Sequence, residues 1–204
     1  MIYFVTAIGT DSGKTVASAI LCEALQADYW KPVQAGFPTD SETVKELLND
    51  DGQTIIHPER YILKTPASPH AAAALENIKI QLEDFEVPDH DNDLIIEGAG
   101  GCLVPLNDRD LVIDLATKFK ATVILVSNFY LGSINHTLLT YEALRSRNIP
   151  VKGIIFNGVY NSESERIILH HTGLIPLLHI DKEQSMNGKV IQEYARKLKS
   201  NWNG

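Results

Sequence analysis

The chain has 204 residues, 44% of them hydrophobic, enough for one sizeable core and too short for two domains, so a single domain over 1–204 is expected. A formal net charge of -8 excludes capture of nucleic acid or anionic membrane by a general basic field, and two cysteines, Cys22 and Cys102, exclude a disulfide framework. No stretch reaches the roughly 18 apolar residues of a membrane span, and MIYFVTAIGT has neither the basic start nor the apolar core of an export signal, which predicts a cytoplasmic protein.

In chain order, the first element is a strand at 2–6 (IYFVT), followed by the loop IGTDSGKT and a helix over 14–26 that carries Cys22 and is buried on one face. DYWKPVQAG at 28–36 reads as the next strand, with Lys31 held extended by Pro32 near its carboxyl end, and a helix follows at about 41–49. The stretch from about 52 to 92 carries Pro58, Pro66, Pro69 and Pro88; it predicts surface elaboration with one or two short helices, closing on a solvated acidic turn, DHDND at 89–93. Strands at 94–96 (LII), 123–126 (VILV) and 153–156 (GIIF) then alternate with helices at about 110–119, 135–147 and 187–199. The strands are short, β-branched and without polar alternation, as in strands buried on both faces. Their order predicts an α/β fold: a doubly wound, mostly parallel sheet flanked by helices, of the P-loop NTPase type.

IGTDSGKTVAS, residues 8–18, ends in the Gly-Lys-Thr of a phosphate-binding loop but fails the strict motif, which asks for glycine where Ile8 stands. Its context supports the loop all the same, because a strand feeds it and a helix leaves it, the usual place for a ligand at the carboxyl edge of such a sheet. Gly9, Gly13, Lys14 and Thr15 supply curled backbone N–H groups, a lysine for the outer phosphates and a hydroxyl for Mg²⁺. A metal-bound phosphate needs a carboxylate on a neighbouring strand. Glu97 ends the run DLIIEGAGG at that edge, whereas Asp93 begins it on the far side, and Gly98, Ala99 and Gly100 let backbone approach a ligand closely. Taken singly, Glu97 and Lys31 read as solvated strand ends and GKT as a turn with a surface lysine; the combination makes them a site.

The segments VTAIGTDSGKTVAS, YWKPVQAG, SPHAA, IIEGAGG, LGSINH and FNG, in this order, resemble dethiobiotin synthetase over nearly the whole chain, most weakly at about 44–64 and 159–172. In that family the loop has five residues between its first glycine and the GKT glycine, which explains the failed motif; here the first glycine is Ala7, a departure expected to be tolerated. The resemblance implies ATP contacts from Asp11, Ser12, Gly13, Lys14, Thr15 and Val16, with Lys14 on the transferring phosphoryl group and Mg²⁺ held by Thr15, Asp40 and Glu97. Asp40 also reads as a helix cap, with Ser41 as its competitor. The family's catalytic lysine matches Lys31, and Ala35 stands where the family often keeps a substrate-touching hydroxyl. Asn157 and Gly158 match the adenine-reading strand end, and GLIPLLHIDKE places Pro176, Leu177, Leu178 and Glu183 on the nucleotide side. Leu131, Gly132 and Asn135 in LGSINH open a helix toward the substrate carboxylate, in the family from the neighbouring subunit, which implies a homodimer. His70 and His136 resemble general bases but are expected to be structural. Two other readings share the fold: a partitioning or positioning ATPase switch, whose GKGGxGKT loop carries an extra lysine that AIGTDSGKT lacks, and another ATP-dependent amidation or carboxylation enzyme.

Overall fold

The computed structural model describes residues 1–48, 52 and 54–202, so Asn49, the last residue of the expected helix at 41–49, lies outside the described residues. The first strand, β1 (Ile2–Ala7), runs through the glycine loop into α1 (Lys14–Leu25). The chain then forms β2 (Asp28–Trp30), β3 (Val33–Ala35), α2 (Asp40–Leu47), β4 (Ile56–His57), β5 (Tyr61–Leu63) and α3 (Pro69–Leu75), with a 3₁₀ turn at Leu82–Asp84. It continues as β6 (Leu94–Gly101), α4 (Val112–Lys118), β7 (Thr122–Asn128), α5 (Ser133–Ser146), β8 (Val151–Asn157), α6 (Ser162–Thr172), β9 (Pro176–Ile180) and α7 (Gly188–Asn201). Among the described residues no helix is long and apolar enough to cross a membrane.

Seven strands form one parallel sheet in the order β4-β2-β6-β1-β7-β8-β9, the doubly wound α/β architecture expected. From β1 the chain first builds outward on one side, returns to place β6 beside β1, and then builds outward on the other. The reversal puts the loop after β1 and the carboxyl end of β6 at the crevice where such sheets take ligands. Successive strand residues point to opposite faces. Tyr3, Val5, Ile95, Ile124 and Val126 pack with Ile20 of α1 and Leu198 of α7. Phe4, Ile96 and Val123 pack with Val112, Ile113 and Leu115 of α4 on the other face. Each fully buried side chain of this kind contributes about 2 kcal/mol, and a strand covered on both sides has no polar position to spare.

α1 is buried more completely than expected: Ala17 to Cys22 are all inaccessible, because α7 and α2 close over the side that faces away from the sheet. Its small residues make that close packing possible. The segment 28–36 is two strands rather than one. β2 joins the main sheet while β3 pairs with β5 in a separate two-stranded sheet. Pro32 has no N–H to continue a ladder, so the chain leaves the main sheet there, with Lys31 directly after β2. The short helices expected within 52–92 are α3 and the 3₁₀ turn at Leu82–Asp84; β4 and β5, at two and three residues, are too short for periodicity to reveal. α6, capped by Asn161 and stopped by the left-handed Gly173, and the edge strand β9 also had no counterpart in the sequence reading. The acidic turn does precede β6, with Asp89 and Asp91 exposed and Asp93 paired with the N-terminal ammonium.

Candidate active site

The loop between β1 and α1 wraps on itself. Ser12 Oγ donates to the Gly9 carbonyl at 3.1 Å and Lys14 Nζ to the same oxygen at 3.3 Å. Ala7, where the resemblance expects glycine, is fully buried at the end of β1 and pairs with Gly101 after a register shift against β6, so that departure falls on the strand and not in the loop. Gly13 sits at φ 96°, and a Cβ there would lie 2.3 Å from Nδ2 of Asn157, which itself donates to the Ser12 carbonyl at 3.0 Å. Both backbone conformation and space therefore require glycine. Gly13→Ala is expected to lower stability by about 2 kcal/mol and to weaken nucleotide binding along with it; urea unfolding and a nucleotide titration of the variant check this.

Directly beyond the loop, side chains from α1, α2, β6 and the turn after β2 close a ring. Thr15 Oγ1 donates to Asp40 Oδ1 at 3.1 Å and Glu97 Oε1 at 3.0 Å, and Lys31 Nζ lies 3.0 Å from Glu97 Oε1 and 2.5 Å from Asp40 Oδ2. Lys31 also donates to the Gly98 carbonyl at 3.2 Å. Glu97 is 0% exposed and Lys31 3%, so this is a buried ion cluster and not a pair of solvated strand ends. Burial alone depresses the Lys31 pKa, but the carboxylates of Glu97 and Asp40 outweigh it and hold the ammonium above its ordinary value. For Asp40, burial pushes the carboxyl up, and Lys31, Thr15 and Lys14 together bring it below the usual range. Lys14 is lowered, first by burial and then by repulsion from Lys31.

Asp40 is free for this cluster because neither it nor Ser41 caps α2. Thr39 does, accepting from Glu42 N at 3.1 Å while Glu42 returns a bond to Thr39 N at 3.0 Å, a reciprocal capping box. The cluster forms the floor of a cavity of about 730 Å³ that Asp11, Gly13, Lys14, Thr15, Val16, Ala99 and Gly100 also line on the loop side. Its other wall is largely apolar, with Val33, Ala35, Phe37, Pro66, Pro69 and Val104. His70 and His136 do not line it; His70 Nδ1 meets Ser68 Oγ at 3.1 Å and His136 Nδ1 meets the Tyr130 hydroxyl at 2.6 Å.

Other expected residues lie elsewhere. Asn157 and Gly158 stand at the carboxyl end of β8, against the loop. In the parallel register Ile180 is opposite Asn157 whereas Pro176 is opposite Ile154, so Pro176 and Leu177 begin β9 at the far end from the crevice and Leu178 lies at its middle, opposite Ile155. Leu177 and Leu178 are core residues, and Glu183 Oε1 accepts from the buried Tyr194 hydroxyl at 2.6 Å. Leu131, Gly132 and Asn135 are exposed at the amino end of α5 and are not brought to the cavity within one chain. Sequence reading missed Tyr29, whose hydroxyl donates to Glu97 Oε2 at 3.0 Å. The signal was present in the period of a strand, since Tyr29 and Lys31 are two residues apart and share a face.

The family model described as an AAA domain matches residues 2–189. A curated ATP-dependent dethiobiotin synthetase of Cytophaga hutchinsonii is 63% identical over 98% of each chain, and one of Christiangramia forsetii is 47% identical over 97% of this chain and 95% of its own. Among solved structures, the septum site-determining protein MinD of Pyrococcus horikoshii, complexed with Mg-ADP, is similar at a TM-score of 0.56 and 14% identity, covering 97% of this chain and 96% of its own. A ParA family ATPase of Chlorobium tepidum reaches 0.55, also at 14% identity, over 96% and 98%. Those two likenesses are of fold alone. With a phosphate loop, a buried Lys31–Glu97–Asp40 cluster and these relatives along nearly its full length, the chain belongs to the ATP-dependent dethiobiotin synthetases, a family of ligases.

Proposed function

We infer that the chain, working as one domain over 1–204, converts 7,8-diaminopelargonate, CO₂ and ATP to dethiobiotin, ADP and phosphate. The observation that carries this is the meeting, in one cavity, of a phosphate loop, a buried lysine between two carboxylates, and an apolar wall suited to an aliphatic substrate. One substrate amine takes up CO₂ as a carbamate, a carbamate oxygen attacks the γ-phosphate with ADP leaving, and the second amine closes the ureido ring and expels phosphate. Positioning and charge stabilisation are the protein's share. The free N–H groups at the start of α1 and the Lys14 ammonium receive the phosphates. Lys31 orients the carbamate and favours its negative charge. Asn157 braces the loop through Ser12 and keeps its amide oxygen for the base, with Gly158 beside it. Gly98 contributes its carbonyl to Lys31, and Ala35 contributes wall without the extra polar contact.

Thr15, Asp40 and Glu97 form a hard oxygen set that fits Mg²⁺. Among the described residues no three His, Cys, Asp or Glu side chains converge, so phosphate oxygens and water complete any such shell. When bound, the ion neutralises charge on the phosphate oxygens. The exposed opening of α5, with Leu131 and Asn135, supports a homodimer in which the partner's helix meets the substrate carboxylate. A biosynthetic ligase reaction on these small molecules suits a cytoplasmic enzyme.

Phosphate release is expected only when diaminopelargonate and bicarbonate are both present, measured in a coupled assay with each substrate omitted in turn. Steady ATP hydrolysis without them, or stimulation by DNA, would instead support the nucleotide-switch reading that the fold also allows. Release with a different amine or acid acceptor would support another ATP-dependent amidation enzyme.

A further inference from the structure

Tyr29 lies wholly inside the protein at the middle of β2, packed in the same core as α1. Phenylalanine would fill that space equally well, so the hydroxyl calls for its own explanation. It donates to Glu97 Oε2 at 3.0 Å. The other oxygen of that carboxylate, Oε1, faces Thr15 and Lys31, both at 3.0 Å. The two carboxylate oxygens thus have separate tasks: one is fastened to the sheet, the other is turned to the cavity. β2 and β6 are adjacent and parallel, with Tyr29 opposite Ile95, two residues before Glu97, so the strand register sets this bond and no loop movement is needed to make it.

We propose that Tyr29 is a positioning residue, which fixes the Glu97 carboxylate in the one orientation that presents Oε1 to a divalent cation beside Thr15. It acts through Glu97 and does not touch substrate. Partners in this outer position hold a ligating oxygen in place, and their loss typically weakens metal affinity about 10- to 100-fold. The proposal rests on Glu97 being a metal ligand, and the experiment separates the two.

Mn²⁺ binding to the complex with a non-hydrolysable ATP analogue is measured by the electron spin resonance of free Mn²⁺, for the parent, Tyr29→Phe, Glu97→Gln and the double variant. The expected result is a dissociation constant raised about tenfold or more in Tyr29→Phe, with analogue affinity in the presence of a chelator unchanged. In the Glu97→Gln background, Tyr29→Phe is expected to add nothing. Equal Mn²⁺ affinity in the parent and Tyr29→Phe overturns the proposal while leaving Glu97 as a ligand. Unchanged affinity in Glu97→Gln overturns both. A second probe keeps the hydroxyl in case Tyr29→Phe does not fold: with 3-fluorotyrosine at position 29, the fluorine resonance is expected to move on Mg²⁺ addition. A resonance that stays in place overturns the coupling.

Discussion

Lys14→Ala is expected to lower turnover by about a hundredfold or more, the scale of removing one strong, preorganised donor from a site where negative charge is handled. Its ammonium reaches back over the loop to the Gly9 carbonyl at 3.3 Å and lines the cavity, so nothing has to rearrange for it to meet a phosphate. Alanine at this position keeps the helix start, since Lys14 is the first residue of α1 and alanine is a good helix former. The loss should therefore appear in turnover and phosphate affinity, with the thermal unfolding midpoint little changed. Steady-state phosphate release, paired with a thermal melt, checks both. Near-normal turnover would show that the loop's backbone N–H groups carry the phosphates without it.

For Lys31→Ala the expected loss of turnover is of the same order, about a hundredfold, but it comes with a different signature. Diaminopelargonate binding and carbamate capture weaken, while ATP affinity stays within about threefold, as the loop itself is untouched. Stability falls as well, by about 3 kcal/mol, because the ammonium is the counter-charge between buried Glu97 and Asp40. The sign of its pH dependence follows. In the parent, Asp40 has a lowered pKa, so its stabilising contribution is present above the ordinary carboxylate range and is lost as pH falls through that lowered value. Without Lys31, the two carboxylates repel and the pKa of one rises, so proton uptake favours the folded variant and its deficit narrows on acidification. Separate equilibrium titrations with ATP and diaminopelargonate, and urea unfolding across pH, read these effects; a collapse of ATP binding would mean that Lys31 is chiefly a brace for the loop.

The solved structures with the same fold include a ParA family ATPase and a septum site-determining protein, both at 14% identity. Fold alone does not separate a ligase from other ATPases, because function lies in the site and not in the backbone path. The distinction was legible in residues: the missing second loop lysine, and KPVQ with Lys31, are features of side-chain identity and not of backbone path. Glu97 was legible for a related reason, since an acid that follows an apolar strand core lies toward the crevice, although β6 runs on past it to Gly101 and Glu97 is not the strand end expected. Asp40 was ambiguous because cap and ligand preferences coincide in Asp, and only the Thr39–Glu42 capping box releases it. Pro176, Leu177 and Leu178 were placed by likeness of segment, and the register of β9 against β8 puts the first two at the far end of the strand and Leu178 at its middle.

By itself, then, the sequence determined the α/β class, the strand-loop-helix unit around Gly13, Lys14 and Thr15, and the family, because these depend on local sterics and on which side chains follow a strand. Tertiary structure alone decided that the chain leaves the main sheet after Trp30, that Tyr29 fastens Glu97, and that Thr15 meets a carboxylate 82 residues away. Strand order and parallel register set which oxygen faces which donor, and those are properties of neighbours in space that no run of adjacent residues encodes.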